Sequence, residues 1–245
     1  LHQARQRLAD AVHAAFPGVV FNMPMEGSLP TTLNFSVPGL SSKSLLNLFD
    51  AAGLRISAGS ACSAAKAEPS FVLQAMGLPA WQAEGAVRLS IGALTTDAEV
   101  DEAIARIAHC GAALREVAAM PQAAAAATDS LMSRDVNVLD AMDAALNSAT
   151  LPAFFAQHPD ALLVDVRDAA ESVAGAALVP WPELERCNVP LPQVAQQLPT
   201  WLGSVQRPLV FFCRTGGRSL QALQLARSQG YGRAWHVAGG LALAP

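Results

Sequence analysis

Apolar residues at the start of the chain recur at helical spacing. Leu8, Val12, Ala15 and Phe16 share one face among charged and polar neighbours, which predicts a helix and is unlike a signal peptide. Thr32 to Val37 alternates with period two, as a half-buried strand does, and Ser44 to Ala52 returns to the helical period before Gly53 ends it. Leu54 to Ser57 and Ala86 to Ile91 read as strands, and Thr96-Asp97-Ala98-Glu99 is a capping box that opens a helix running toward Val117. The pattern then breaks. Met120-Pro121-Gln122 leads into the alanine run Ala123 to Ala127 and Thr128-Asp129-Ser130, with no periodic apolar face, so 119–134 is expected to be a linker; alanine can equally continue a helix. Beyond it, Asp140 to Leu146, Leu151 to Gln157 and Ser219 to Gln229 read as helices, Ala161 to Val166 and Pro208 to Phe212 as buried strands, and Ala234 to Val237 as a last short strand. The expected fold class is α/β: a small mixed α/β unit over 1–118, then a parallel sheet flanked by helices over 135–245.

Composition adjusts this picture in a few places. A length of 245 residues suits two domains, each able to bury its own core. A net charge of -4 with no basic run gives no electrostatic reason to bind nucleic acid, and no apolar stretch has the roughly 18 residues that span a bilayer. Small molecules or proteins are the expected partners. The cysteines, Cys62, Cys110, Cys187 and Cys213, are scattered, without a CxxC pair or a histidine at metal-ligand spacing. Reduced thiols in a cytoplasmic setting are therefore expected, with no metal. The chain begins at Leu1, and we expect it to start inside a larger protein.

The segment Cys213-Arg214-Thr215-Gly216-Gly217-Arg218-Ser219 carries the strongest chemical signal. The apolar run Pro208 to Phe212 delivers a cysteine to a glycine-containing turn that opens a helix. Backbone N–H groups, the helix N-terminus and the guanidinium groups of Arg214 and Arg218 would favour a thiolate there, as a nucleophilic cysteine requires. This loop also allows a second reading, a Cdc25-like phosphatase, but phosphatase loops are one residue longer between cysteine and arginine and no aspartic general acid is identifiable. Cys62 lies in a second loop of small residues, Ser57-Ala58-Gly59-Ser60-Ala61-Cys62-Ser63-Ala64-Ala65-Lys66, which by itself says little. His109 and Cys110 are expected within a helix as packing or surface residues, His236 has no visible partner in the sequence, and Cys187 is expected in a proline-rich loop as an incidental thiol.

Two resemblances gather these residues. Ser57 to Ser63, Glu68 to Leu78, Val87-Arg88-Leu89-Ser90-Ile91-Gly92 and Thr95 to Asp101 together resemble the C-terminal part of NifS/IscS-type cysteine desulfurases, of the class V aminotransferase family, over about residues 1–118. The resemblance implies that Cys62 carries a persulfide and that Arg88 holds a substrate carboxylate, a task that suits the bidentate guanidinium. It implies pyridoxal phosphate (PLP) for a core that this chain lacks: Lys43 and Lys66 are the lysines here, neither in the family's histidine-lysine context, so no cofactor is expected on this chain alone. It also implies a homodimer through this part. The second half resembles a rhodanese domain: Cys213 to Ser219 matches the active-site loop, Asp165-Val166-Arg167 with Glu171 the early Asp-x-Arg and Glu, and Val237-Ala238-Gly239-Gly240-Leu241 the closing Gly-Gly segment. The usual glycine-histidine-isoleucine after the Glu is missing, as is the terminal tryptophan. This resemblance implies sulfur transfer by Cys213, substrate binding by Arg214, Thr215, Gly216, Gly217, Arg218 and Ser219, and loop support by Asp165 and Arg167. The joint expectation is a persulfide relay from Cys62 to Cys213, with a cysteine-derived persulfide or thiosulfate as donor and a thiol or protein as acceptor. The alternatives are a non-catalytic docking or regulatory module and the phosphatase.

Overall fold

The amphipathic stripe at the start of the chain becomes helix α1, His2–Ala15, which buries Leu8, Ala9, Val12 and Ala15. Its partner is the long helix α5, Asp97–Ala119. Gly111 of α5 sits against the backbone of Ala15, where a Cβ would collide, so the close packing of the two helices depends on that glycine. The capping box at the head of α5 forms as the sequence predicts: Glu99 N–H donates to Thr96 Oγ1 at 3.2 Å, and Thr96 N–H donates back to the Glu99 carboxylate at 2.8 Å. Strands β1 (Val20–Phe21), β2 (Thr32–Ser36) and β3 (Val87–Ser90) make an antiparallel sheet in that order. Helices α2 (Ser42–Ala51), α3 (Phe71–Ala75) and α4 (Ala80–Glu84) connect β2 to β3. Phe16, Phe35 and Phe49 meet at the centre of this core, with ring centroids 5.6 and 6.1 Å apart. Leu54 to Ser57, expected as a strand, contributes a single bridge, Ser57 to Arg88.

The computed structural model describes residues 1–58, 70–120, 144–147, 149–203 and 207–243. They belong to two units, Leu1–Ala119 and Met120–Pro245. The expected linker lies, from residue 121 onward, outside the described residues.

The second unit is a five-stranded parallel sheet in the order β4-β8-β7-β5-β6, formed by Ala145–Leu146, Ala234–Val237, Leu209–Phe212, Leu162–Asp165 and Arg186–Asn188 respectively. Central strands covered on both faces should be apolar throughout, and all four residues of β5 and of β7 are buried. Alternation sorts them between two cores. Leu162, Val164, Leu209 and Phe211 pack with α8 (Val194–Leu202) and α9 (Gly217–Ser228), whereas Leu163, Val210 and Phe212 pack with Leu151 and Trp181 on the opposite face, beside α6 (Leu151–Gln157). The short helix α7, Ala169–Ala174, follows β5.

Two sequence expectations are corrected here. Asp140 to Leu146 was expected as a helix, but Ala145 and Leu146 extend to pair with His236 and Val237, so the free sheet edge overrides the helical preference of Ala and Leu. Cys187, expected in a loop, lies in edge strand β6 beside Val164.

Candidate active site

In a parallel sheet all carboxyl ends point the same way, and three of them converge here. β7 ends at Cys213, β5 at the turn Asp165 to Arg167, and β8 at Gly239-Gly240. Cys213 is fully buried. Its sulfur accepts the N–H of Gly216 at 3.2 Å, a bond that requires the chain to double back within three residues. Gly216 makes this possible with φ +91°, in the left-handed region, and a Cβ there would lie 2.7 Å from the backbone nitrogen of Gly239. Gly217 then opens α9, so the sulfur lies beside the N-terminus of a three-turn helix.

The Gly-Gly segment after β8 is the platform for this loop. The N–H of Leu241 donates to the Cys213 carbonyl at 3.0 Å and that of Ala242 to the Arg214 carbonyl at 2.9 Å, so the first two carbonyls of the loop are bound to the platform. A Cβ at Gly240 would overlap the Cys213 carbonyl and lie 2.6 Å from that of Arg214. Glycine is needed because two backbones touch.

The two arginines of the loop have different surroundings. The Arg218 guanidinium grips Glu171 of α7 through two parallel bonds, Nη1 to Oε2 at 2.7 Å and Nη2 to Oε1 at 2.8 Å. Glu171 is 1% exposed. Burial pushes its carboxyl above the ordinary value, against the pull of Arg218. For Arg218, burial acts downward, but the bonds and charge of Glu171, together with the charges of Cys213 and Asp168, outweigh it and raise the guanidinium above its ordinary value. Much of the Arg218 charge is thus answered by Glu171. Arg214 is half-buried; burial first, and the like charge of Arg218 second, lowers it from its ordinary value. Thr215 and Gly217 are exposed at the mouth of the loop.

Asp165 and Arg167 form a buried pair beneath β5, Nε to Oδ1 at 2.9 Å and Nη2 to Oδ2 at 2.7 Å. Ser172 donates to the same carboxylate at 2.7 Å, and Asn188 of β6 donates to the carbonyls of both residues at 2.9 Å. The Arg167 guanidinium carbon lies 5.7 Å from the centroid of the Phe212 ring. Val166 N–H binds the Phe212 carbonyl at 3.0 Å, so this network holds the residue just before Cys213.

Ser219, on the first turn of α9, is fully buried. Its hydroxyl lies 3.7 Å from Cys213 Sγ, 3.0 Å from the Gly216 carbonyl and 3.4 Å from Nδ1 of His236. His236, without visible partner in the sequence, therefore has one in the fold. Glu171 was placed in the sequence by resemblance, without a partner; its pairing with Arg218 needed the tertiary structure. For His236 no sequence signal was available.

In the first unit, Arg88 is exposed on β3, whose burial alternates. Its backbone pairs with Ser57 in both directions, with Ser57 N–H to the Arg88 carbonyl at 2.9 Å and Arg88 N–H to the Ser57 carbonyl at 2.6 Å. Cys62 and Lys66 lie outside the described residues. The other lysine, Lys43, is exposed at the first turn of α2, so the described residues do not fit a PLP site, which requires a lysine held against the cofactor. Among the described residues no group of His, Cys, Asp or Glu is placed to hold a metal ion, and no helix is long and apolar enough to cross a membrane.

A parallel sheet with helices on both faces that presents a cysteine loop at its carboxyl edge defines the architecture of the second unit. Residues 152–243 match the family model of the rhodanese-like domain, and residues 1–103 match that of aminotransferase class V. The first part of the chain is thus similar to aminotransferase class V proteins and the second to rhodanese-like domains. The first part is 41% identical over 103 residues to the cysteine desulfurase IscS of Clostridium botulinum, covering 41% of this chain and 26% of that protein. It is 41% identical over 107 residues to an IscS-like cysteine desulfurase of Mycobacterium tuberculosis, covering 42% of this chain and 27% of that one. The chain spans about a quarter of the length of these curated relatives. A solved human single-domain sulfurtransferase, TSTD1, aligns at 34% identity and a TM-score of 0.32 over 40% of this chain and 90% of its own.

Proposed function

We propose that this chain is a rhodanese-type sulfurtransferase in which Cys213 carries sulfane sulfur as a persulfide. The observation that carries this reading is the Gly216 N–H, 3.2 Å from a cysteine sulfur at the head of a helix, in a loop fixed from both sides. A donor at that position stabilises negative charge on the sulfur both as nucleophile and as leaving group. With thiosulfate, the Cys213 thiolate attacks the outer sulfur, the sulfur–sulfur bond breaks, sulfite leaves, and a persulfide remains on Cys213. An acceptor thiol or cyanide then takes the outer sulfur and regenerates the thiolate. Thr215 and Gly217 at the mouth, with Arg214 beside them, form the binding surface for such an anionic donor, while Arg218, Ser219, Asp165 and Arg167 hold the loop.

The same reading assigns residues 1–118 to a desulfurase-derived unit, 119–134 to a linker and 135–245 to the sulfurtransferase unit. The division between Ala119 and Met120 supports this. In the relay, the outer sulfur of a Cys62 persulfide passes to the Cys213 thiolate and Cys62 leaves as thiolate. Tethering the two on one chain gives an effective concentration of about millimolar, provided that the linker spans the distance. Arg88, bound through Ser57 to the chain segment that leads to Cys62, is the carboxylate-binding residue of that unit. PLP chemistry, if it feeds this relay, is supplied outside the described residues. The exposed Phe71, Val72 and Met76 support a homodimer through the first unit.

Incubation with thiosulfate, followed by intact-mass measurement and peptide mapping after alkylation, tests the core of the proposal. One added sulfur on Cys213, removed by cyanide, is the expected result. No added sulfur on any cysteine would overturn it in favour of a docking module, and phosphate release from an aryl phosphate would point to a phosphatase.

A further inference from the structure

Three side chains behind the loop form a continuous polar path in an otherwise apolar core. Cys213 and Ser219 are fully buried and His236 is 6% exposed. The path runs from Cys213 Sγ to Ser219 Oγ over 3.7 Å and from Ser219 Oγ to His236 Nδ1 over 3.4 Å. Ala234 and His236 alternate with Trp235 along β8, which places the imidazole on the face covered by α9. A buried histidine facing a buried hydroxyl, itself facing a buried cysteine, is more than the packing of a strand requires.

We infer that His236 is the base that receives the Cys213 thiol proton, through the Ser219 hydroxyl. This rests on the reading of Cys213 as the sulfur carrier and adds how a thiol sealed from water becomes a thiolate. The thiol proton passes to Ser219 Oγ while the Ser219 hydroxyl proton passes to Nδ1 of the neutral imidazole. One S–H bond breaks, one N–H bond forms, and Ser219 gives one proton and takes one. In the product the imidazolium N–H donates to Ser219 and the Ser219 hydroxyl donates to the thiolate. The hydroxyl is free to turn because the Gly216 carbonyl, its other acceptor at 3.0 Å, also receives the Leu220 N–H at 3.0 Å and stays satisfied. Burial lowers the His236 imidazole from its ordinary value, which favours the neutral form that can accept a proton.

The charged groups on the packed elements do not duplicate this role. On α9, Arg218 is held by Glu171, and the Arg227 guanidinium reaches the Ala234 carbonyl at 3.4 Å. On the loop, Arg214 is cationic and accepts no proton. β7 leads into Cys213, β4 brings Ala145 and Leu146, and the His158 ring lies tilted against Trp235 at the opposite face of β8, with centroids 6.0 Å apart.

The test is the pH dependence of Cys213 alkylation by iodoacetamide, resolved by peptide mapping on the full chain, for the wild type, His236→Asn, His236→Gln, Ser219→Ala and the double variant Ser219→Ala/His236→Asn. Melting temperatures identify which variants fold, and the two histidine variants back each other up. We expect each single variant to move the inflection upward by about one pH unit, a tenfold slower alkylation near neutrality, and the double variant to move it no further than either single one. An unchanged profile in folded His236→Asn or His236→Gln overturns the inference, as does a shift caused by Ser219→Ala alone or shifts that add in the double variant. Sulfur uptake from thiosulfate is measured on the same samples. A wild type that alkylates but gains no sulfur rejects the sulfurtransferase reading, while the alkylation profile still decides the proton path.

Discussion

Cys110 and Cys213 are equally buried, both with no exposed surface, yet their surroundings prepare them for opposite fates. Cys110 lies in the middle of α5, and its thiol points at the Leu48 carbonyl at 3.8 Å. Burial pushes the thiol up to about 12, and an acceptor facing it suits the protonated form. At the end of β7, by contrast, a backbone N–H points at the Cys213 sulfur and a buried hydroxyl lies behind it. Equal burial thus does not mean equal surroundings: a donor facing a sulfur stabilises the anion, and an acceptor the neutral thiol.

The largest test of this contrast is a pair of substitutions. Cys213→Ser should reduce thiosulfate-to-cyanide sulfur transfer to background with an unchanged melting temperature, whereas Cys110→Ser should leave transfer intact and only weaken the first unit. Transfer that survives in Cys213→Ser would erase the contrast. Next in size is Gly240→Ala. The added methyl meets the backbone of Cys213 and Arg214, so the loop must shift, at a cost of about 1–3 kcal/mol in urea unfolding and with most of the activity lost. An active, equally stable Gly240→Ala protein would mean that the platform does not shape the loop.

Glu171→Gln leaves Arg218 without its bidentate partner in a largely buried site. We expect a loss of about 3 kcal/mol in stability together with reduced transfer, measured on the same preparation. The smallest effect is the pH dependence contributed by His236. Its folded value lies below the ordinary one, so the unfolded chain binds the proton more readily, and stability should fall as pH drops through about 6.5 and below. Urea midpoints measured across that range should fall more steeply for the wild type than for His236→Asn. Equal slopes would show that the histidine is not held neutral.

Local pattern made the main elements legible. The stripe of α1, the Thr96–Glu99 capping box and the apolar runs of the buried strands β5 and β7 each state their structure in adjacent residues, since hydrogen bonding and burial there depend on spacing along the chain. The cysteine, the glycines and the arginines of the loop were legible for the same reason, as one contiguous stretch. Cys187 and Ala145-Leu146 were misjudged because edge strands take their conformation from a partner far away in sequence, and neither segment has a period of its own.

What the sequence by itself determined is therefore the class of each unit, the parallel-sheet architecture of the second and the identity of its cysteine loop. The tertiary structure alone decided which groups meet around that loop. Glu171 and Arg218 are 47 residues apart and Ser219 and His236 are 17 apart. Gly240 meets Cys213 only because β8 lies beside β7 in the sheet. Such contacts are set by strand order and register, which no local spacing encodes, and they give Arg218, His236 and the Gly-Gly segment roles that their positions in the chain do not announce.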